Sequence, residues 1–240
     1  MVKTATRLME PKANGEQPTK NKPMGTKSER VVIQPLEMQI VRMKIIFTKP
    51  YLQLRFSEKN KNKILKTMSE PTIQGRSSKK DRQARDYADD FDQAQYRDDK
   101  GCFGIPAAAF RNASIDACRS IPGMAMTNAK QTYFALEDTF DAKDLTPLVM
   151  ITKGKPKVHT AAVRNANGST DIRVRAIFWP CECILRVKFN SRMFDVSSIV
   201  NMTIHAGELV GVGEGRPNSR KSYGTGMGHF NVLLLDSMQA

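Results

Sequence analysis

The stretch CILRVKF, residues 183–189, decides the fold class because its side chains alternate between two faces. Its odd-numbered residues are all apolar, whereas Arg186 and Lys188 lie on the opposite face of an extended chain. A period of two is typical of a strand that buries one face and leaves the other in solvent. The stretch therefore predicts a strand that lies on a core and carries cations on its open side.

A helix is predicted directly after this strand, in FDVSSIVNMTIHAG, residues 194–207. Asp195 is a suitable N-cap, and Gly207 is placed to end the helix. The apolar stripe consists of Ile199, Val200, Thr203 and Ile204. HFNVLLL, residues 229–235, then predicts a deeply buried final strand, so that strand, helix and strand form one βαβ unit.

A similar unit opens the chain. LEMQIVRMKIIF, residues 36–47, predicts a strand that is interrupted near Pro50. SEKNKNKILKTM, residues 57–68, predicts a helix with Ser57 as its N-cap. The stripe of that helix consists of Ile64, Leu65 and Met68. Two such halves predict an α+β fold, with an RRM-like or ferredoxin-like antiparallel sheet and helices on one face.

Further elements are predicted between the two halves. GIPAAAFRNASIDACRSIPG, residues 104–123, predicts a helix of small residues with Pro106 at its first position. Short strands are predicted at 132–138, 147–151 and 171–180.

The remaining segments are polar and charged. Residues 1–32 predict a disordered basic tail, and residues 33–240 predict one domain with inserted loops at about 70–100 and 152–170. Residues 86–99 are strongly acidic and could form a helix or a loop. The acidic segment has two interpretations, a solvated surface or a docking site for a neighbouring subunit.

The charge of the chain points to a polyanionic partner. Its 38 lysine and arginine residues outnumber 24 acidic residues, which gives a net charge of +14 and a pI near 9.8. Such an excess favours nucleic acid as the partner. The four cysteines lack metal-binding spacing, and no secretory signal or membrane-spanning run is predicted, so we expect a cytoplasmic protein with reduced thiols.

Catalytic motifs fail when their spacing is tested. GRPNSRKS, residues 215–222, almost spells a P-loop, but Arg220 stands where that motif needs its second glycine. The three histidines lie in separate elements without metal-ligand spacing. We therefore predict no catalytic residue, no metal and no cofactor.

Cations and aromatic side chains supply the candidate binding residues. A groove that combines them suits single-stranded nucleic acid, because an aromatic ring can stack on any base. The candidates are Arg76, Lys79, Lys80, Arg82, Arg85, Lys153, Lys155, Lys157, Arg164, Arg173, Arg175, Phe178, Trp179, Arg216, Arg220 and Lys221. The two aromatic residues have the alternative interpretation of core or rim positions.

Three segments carry a resemblance to a known family. They are LRFSEKNKNKIL (54–65), YRDDKGCFGIPAAAFRNASIDA (96–117) and AGELVGVGEGRP with GTGMGHFNV (206–232). In this order they resemble a family of small, mostly uncharacterised proteins of tailed phages, over roughly residues 36–235. This resemblance implies a phage-encoded protein.

The same layout also resembles the RAMP superfamily, whose RRM-fold members include the CRISPR backbone subunit. The glycine-rich segment 207–228 before the last strand and the Ile105–Ala107 start of the small-residue helix carry this resemblance. The backbone subunit coats RNA as a helical filament through basic loops inserted in its core. The resemblance therefore implies that segments 75–85 and 152–170 are such loops, and it carries over no cleavage residue.

Together these observations predict a non-catalytic phage protein that binds single-stranded nucleic acid, DNA rather than RNA. We expect it to self-assemble along the strand as a homo-oligomer or filament, in replication, recombination or protection, in the host bacterial cytoplasm. Two alternatives remain open. One is an interaction protein that mimics or blocks a host or CRISPR complex, and so has a host protein as its partner. The other is a metal-dependent nuclease that uses Asp89, Asp90 or Asp92.

Overall fold

The computed structural model describes residues 33–69, 85–164, 168, 170–219 and 225–239. In these ranges the chain forms five α-helices and ten strands. The helices are α1 Glu58–Ser69, α2 Tyr87–Gln93, α3 Ala107–Ala117, α4 Met126–Thr132 and α5 Val196–His205. The strands are β1 Met38–Phe47, β2 Tyr51–Gln53, β3 Gly104–Pro106, β4 Phe134–Leu136, β5 Thr139–Phe140, β6 Pro147–Lys153, β7 Pro156–Arg164, β8 Thr170–Phe178, β9 Glu182–Asn190 and β10 Phe230–Gln239.

Four strands form the ferredoxin-like arrangement that the sequence predicts. β10, β1 and β9 lie side by side in that order, and β4 pairs with the far side of β9. All three pairings are antiparallel. Along the chain the order is β1, α3, β4, β9, α5, β10, which is the βαββαβ pattern of a ferredoxin-like sheet. The predicted α+β class is therefore confirmed.

The core lies between this main sheet and the helices on one of its faces. α3 and α5 pack against each other, and they also pack against strands of the sheet. The buried side chains of the two central strands are Val41, Met43, Ile45 and Phe47 in β1 and Cys183, Leu185, Val187 and Phe189 in β9. The alternation in residues 183–189 therefore belongs to a strand with one face on the core, as predicted. Its charged residues face away from the helices.

The prediction of an inserted loop at 152–170 is wrong, because most of this segment belongs to a β-hairpin. β7 pairs with β8 in antiparallel register, from Pro156 opposite Phe178 to Arg164 opposite Thr170. β2 pairs with the other edge of β8, which gives a second, three-stranded sheet. Among the described strands, β7 has a neighbour on one side only, so it can expose side chains on both faces and lacks the apolar pattern of a buried strand.

The end of α5 also differs from the prediction. Asp195 does cap the start of the helix, and its carboxylate accepts a backbone hydrogen bond of 2.8 Å. The chain does not reverse at Gly207, because it continues through a π-helical turn, Ala206–Val210, to a left-handed residue, Gly211, with φ of 70°. A Cβ at Gly207 would lie 2.0 Å from the carbonyl oxygen of Phe230. Glycine is needed at position 207 for close approach to β10.

The last strand forms where predicted, but it is not deeply buried. β10 pairs with β1 and with no other strand in the described part of the chain. Leu233, Leu234 and Leu235 are 52, 52 and 47% exposed. The run of leucines suggested a strand covered on both faces, whereas its position at the sheet edge leaves it open.

The first two helices lie in the segments that suggested them. The sequence left open whether the acidic segment 86–99 forms a helix or a loop. The structure shows that residues 87–93 of this segment are helical. α1 forms as predicted, but its stripe is exposed rather than packed. The prediction that it is the helix of the first half is wrong, because α3 takes that place in the ferredoxin-like order. The basic tail 1–32 and residues 70–84 of the first inserted loop lie outside the described residues. The predicted domain boundary after residue 32 stays a prediction.

No helix in the described ranges is long and apolar enough to cross a membrane. The four cysteines are free thiols. Burial raises the pKa of Cys118 and Cys183, and it raises the pKa of Cys181 to about 12. These three thiols therefore stay protonated at neutral pH.

Candidate nucleic-acid interface

The face of the main sheet that the helices leave open carries a row of cations. The alternation in β1 and β9 places Arg42 and Lys44, and Arg186 and Lys188, opposite the buried side chains. In the β1–β9 register Arg42 lies directly across from Arg186. Side chains paired in this way start about 5 Å apart, so the two arginines leave the sheet as neighbours.

These two arginines line a groove of about 530 Å³ on the open face. The groove is lined by Ile40, Arg42, Asp138, Met150, Thr152, Ile184, Arg186 and Met238. Half of the lining is apolar, and these four side chains, Ile40, Met150, Ile184 and Met238, form its aliphatic floor. We call this site the open-face groove. It combines the aliphatic floor with two guanidinium groups, which can bind phosphate oxygens in pairs.

Each arginine of the groove is held by a carboxylate. Arg42 Nη1 lies 2.9 Å from Asp236 Oδ2, and Arg186 Nη2 lies 3.0 Å from Asp138 Oδ1. Both arginine side chains are 38% exposed. Ion pairs this exposed contribute only about 0–1 kcal/mol to stability. A phosphate can therefore replace the carboxylate at low cost, and until then the acids keep the arginines in place.

Two lysines meet at one end of the open face. Lys44 Nζ lies 2.9 Å from Glu182 Oε2, and Lys153 Nζ lies 2.9 Å from Glu182 Oε1. Hydrogen bonds from Lys153 and Lys44 lower the pKa of Glu182, so its carboxylate stays charged. The three side chains connect the open-face groove to the turn between β6 and β7.

That turn carries one of the predicted binding residues, Lys155. Gly154 lies at its centre with φ of 128°, and a Cβ there would be 2.5 Å from the carbonyl oxygen of Pro180. The β6–β7 turn therefore touches the β8–β9 turn, which contains Trp179. Lys155 and Trp179 are both exposed, and Lys155 has no ion pair with any residue that the structure describes. A cation and an exposed aromatic ring thus lie near one end of the row.

Two predicted binding residues are instead part of the protein interior. Phe178 is fully buried, with its ring centroid 5.8 Å from that of Tyr51, so it cannot stack on a base. Arg175 is 7% exposed and forms an ion pair with Glu214. Glu214 belongs to residues 211–229, which join the end of the π-helical turn to β10 and which we call the glycine-rich connection. Arg173 Nη1 lies 3.7 Å from the same carboxylate. Burial and this carboxylate hold Arg175 in the fold, whereas the side chain of Arg173 is 38% exposed and its ion pair is longer.

Other predicted residues are placed by local contacts. Arg85 lies 2.6 Å from Asp90 and 3.0 Å from Asp171, so it joins α2 to β8. Arg216 donates a hydrogen bond of 3.1 Å to the carbonyl of Gly213. Lys157 is exposed on β7. The structure therefore does not gather the predicted set into one site. The predicted residues that lie outside the described part are Arg76, Lys79, Lys80, Arg82, Arg220, Lys221 and the side chain of Arg164.

The glycine-rich connection leads from α5 to β10, and its described residues, 211–219 and 225–229, are packed against the rest of the fold. Val212 N donates to Gly228 O at 3.0 Å, and Gly228 N donates to Pro50 O at 2.9 Å. Glu214 N donates to Leu52 O at 2.9 Å. These bonds tie the loop to the bend before β2 and to β2 itself. These residues therefore have a structural role, and residues 225–229 lead into a strand rather than into the helix that a P-loop needs.

A buried charge cluster was missed from the sequence. Arg55 Nη2 lies 3.1 Å from Asp141 Oδ2 and 3.0 Å from Asp144 Oδ2, and the arginine side chain is 1% exposed. Burial raises the pKa of Asp144, but hydrogen bonds from Thr146 and the charge of Arg55 outweigh this and lower the pKa to about 2. This cluster holds the chain after β2 against the turn after β5.

The acids proposed for a nuclease are not arranged around a metal site. Asp90 is paired with Arg85, and Asp92 Oδ1 lies 2.8 Å from Arg97 Nη1. Within the described ranges, no three His, Cys, Asp or Glu side chains are grouped closely enough to hold a metal ion.

No family model and no curated protein matches this chain. Among solved structures, it is similar to a chain in the cryo-EM structure of the Type III-B Cmr-beta bound to cognate target RNA, with 12% identity and a TM-score of 0.45. The alignment covers 85% of this chain and 61% of that chain, so this chain spans less than two thirds of its length. Likeness at this level establishes neither family nor function, and the resemblances to tailed-phage proteins and to the RAMP superfamily stay predictions.

Proposed function

We propose that this protein binds single-stranded nucleic acid along the open face of its main sheet. The observation that carries the proposal is the open-face groove, in which Arg42 and Arg186 lie side by side next to an aliphatic floor. Lys188 lies beyond one side of the groove, and Lys44 and Lys153 lie beyond the other. The row follows β9 from Lys188 to Glu182, which is about 20 Å of extended chain.

The chemistry of the row suits a backbone contact more than base reading. Phosphate oxygens would take the place of Asp236 and Asp138 at the two arginines, since an arginine binds phosphate as well as carboxylate in a bidentate way. Bases would lie on the aliphatic floor, and Trp179 offers an exposed ring for stacking. Binding of this kind weakens steeply with salt and depends little on sequence.

The proposal includes the finer expectations from the sequence. It takes DNA rather than RNA as the polymer, assembly of copies along the strand, and a role without catalysis in phage replication, recombination or protection in the bacterial cytoplasm. Competition between unlabelled DNA and RNA strands of one sequence tests the first of these expectations.

The test compares two variants by fluorescence anisotropy with a labelled strand of about 20 nucleotides. Arg42→Gln/Arg186→Gln removes both charges of the groove. Arg119→Gln is the control, because Arg119 lies just after α3 on the helix side and is also an exposed, ion-paired arginine. We expect the double variant to lose on the order of 10- to 100-fold in affinity at about 50 mM salt, and its salt slope to fall by about 1.4.

The control should bind within about twofold of the wild type, and circular dichroism should show that both variants are folded. Two results would contradict the proposal. One is the absence of single-strand binding by the wild type at about 50 mM salt. The other is an equal loss of affinity in the double variant and in Arg119→Gln, which would indicate a general charge effect.

A further inference from the structure

The outer edge of β10 is an unsatisfied strand edge. β10 is ten residues long and pairs with β1 on one side, and no strand of the described chain lies on its other side. An edge strand presents a row of backbone N–H and C=O groups that can pair with a further strand. Natural proteins usually protect such edges with short length, charges, proline or bulges.

β10 has little of this protection. Its one charged residue, Asp236, is neutralised by Arg42. The single register shift falls at Leu235, which has no partner in β1 because Leu234 lies opposite Met43 and Asp236 lies opposite Arg42. This one bulge is the protection of that kind that β10 carries. The exposed apolar side chains on and beside β10 are Leu233, Leu234, Leu235, Met238, Ile204 and Leu209. The last two come from α5 and the π-helical turn, which pack against β10. The patch therefore continues across both faces of the edge.

The chemistry of this edge limits what can cover it. A cover must supply an unpaired strand, apolar side chains on both faces, and no cation along that strand, because a lysine or arginine there would be buried among leucines. The other free edges of the described sheets are poorer candidates. β7 carries Lys157, and β2, β3, β4 and β5 are two or three residues long. β10 itself meets all three requirements.

We propose that β10 pairs with β10 of a second copy of this chain, antiparallel and about a two-fold axis. A strand paired with itself in this way is its own complement, which is the usual symmetry of a homodimer. The leucines of the two copies then lie together, and the two main sheets join into one. With the axis perpendicular to the sheet, both open faces are on the same side. This inference does not depend on nucleic-acid binding.

The experiment is sedimentation velocity of the full chain at about 50 µM, under reducing conditions and without nucleic acid. Leu233→Lys/Leu235→Lys places four lysines in the paired edge. Val158→Lys is the control, because Val158 is 59% exposed on the free edge strand β7. We expect a dimeric wild type, a dimeric control, and a double variant whose dissociation constant rises on the order of 100-fold or more.

Amide hydrogen exchange of the wild type provides a second measurement that needs no variant. Raising the protein concentration should slow exchange in residues 233–237 and leave β7 unchanged. A monomeric wild type, a double variant that stays dimeric, or exchange in β10 that ignores concentration would overturn the proposal. A milder pair, Leu233→Thr/Leu235→Thr, replaces the lysine variant if that variant unfolds. A monomer would leave the open-face groove proposal intact, and failure of strand binding would leave the dimer intact.

Discussion

Gly228→Ala tests whether the glycine-rich connection is packed or merely flexible. Gly228 has φ of 74°, and a Cβ at this position would lie 1.8 Å from the carbonyl oxygen of Val212. Gly228 is also hydrogen-bonded on both sides, by its carbonyl to Val212 N at 3.0 Å and by its N–H to Pro50 O at 2.9 Å. An added methyl group must therefore push apart backbone segments that are bonded to each other.

The magnitude follows from three costs. The left-handed conformation costs a residue with a Cβ about 1–2 kcal/mol. Overpacking against backbone costs about 1–3 kcal/mol. Weakening two backbone hydrogen bonds costs about 0.5–1.5 kcal/mol each. We therefore expect Gly228→Ala to lower the free energy of unfolding by about 3–8 kcal/mol, which is a large part of the ~5–15 kcal/mol typical of a domain.

The control lies two residues away in the same connection. Gly226 has φ of 70°, but the nearest atom to its Cβ position is 3.9 Å distant. Gly226→Ala should therefore carry only the conformational cost of about 1–2 kcal/mol. Urea unfolding followed by circular dichroism measures both variants. If their free energies of unfolding agreed within about 0.5 kcal/mol, close packing at Gly228 would be refuted.

Two further predictions concern the core and the buried charges. Phe178→Ala should lower the free energy of unfolding by about 3–5 kcal/mol, whereas Trp179→Ala should lower it by less than about 1 kcal/mol. Trp179→Ala should also weaken single-strand binding by about 1–3 kcal/mol. Urea unfolding measures the stabilities and fluorescence anisotropy measures the binding; a larger loss of stability in Trp179→Ala than in Phe178→Ala would refute the placement of the two rings. Because the folded-state pKa of Asp144 is about 2 and its ordinary value is 3.8, its contribution is complete above about pH 4 and is lost as the pH falls towards 2. We expect the wild type to lose on the order of 1–2 kcal/mol of its free energy of unfolding between neutral and acidic pH, after solvent screening. Asp144→Asn should lose less over the same pH range. Equal losses in the wild type and the variant would contradict the lowered pKa of Asp144.

The fold could be predicted where local patterns coincide with tertiary burial. β9 alternates strictly because it is a central strand with helices on one face and solvent on the other. α5 begins at Asp195 because its carboxylate satisfies a free N–H of the first turn. β7 could not be recognised in this way, because an edge strand of a small sheet has no consistently buried face. Gly207 was misassigned because close approach to Phe230 involves residues distant in sequence.

The candidate site was predicted less well than the fold. Phe178 has the same parity in β8 as the buried Val174 and Ala176, so alternation alone could have assigned it to the core. Arg175 could not have been excluded, because its partner Glu214 is 39 residues away in the glycine-rich connection. Arg42 was visible on the open side of β1, but only the pairing of β1 with β9 brings it opposite Arg186.

The distribution of charge suggests how attraction and positioning are divided in this protein. The described ranges contain 25 of the 38 basic and 19 of the 24 acidic residues, so they carry +6 of the net charge of +14. On the open face, three of the four cations in β1 and β9 have a carboxylate partner. Long-range attraction of a polyanion depends on net charge, whereas the path of a strand depends on side chains held in fixed positions. Under the proposed function, residues outside the described ranges therefore contribute more than half of the excess charge, while the open-face groove positions the strand. Composition could indicate a polyanion because it reports net charge. The residue patterns of the sequence, however, wrongly placed the buried Arg175 and Phe178 among the contacts.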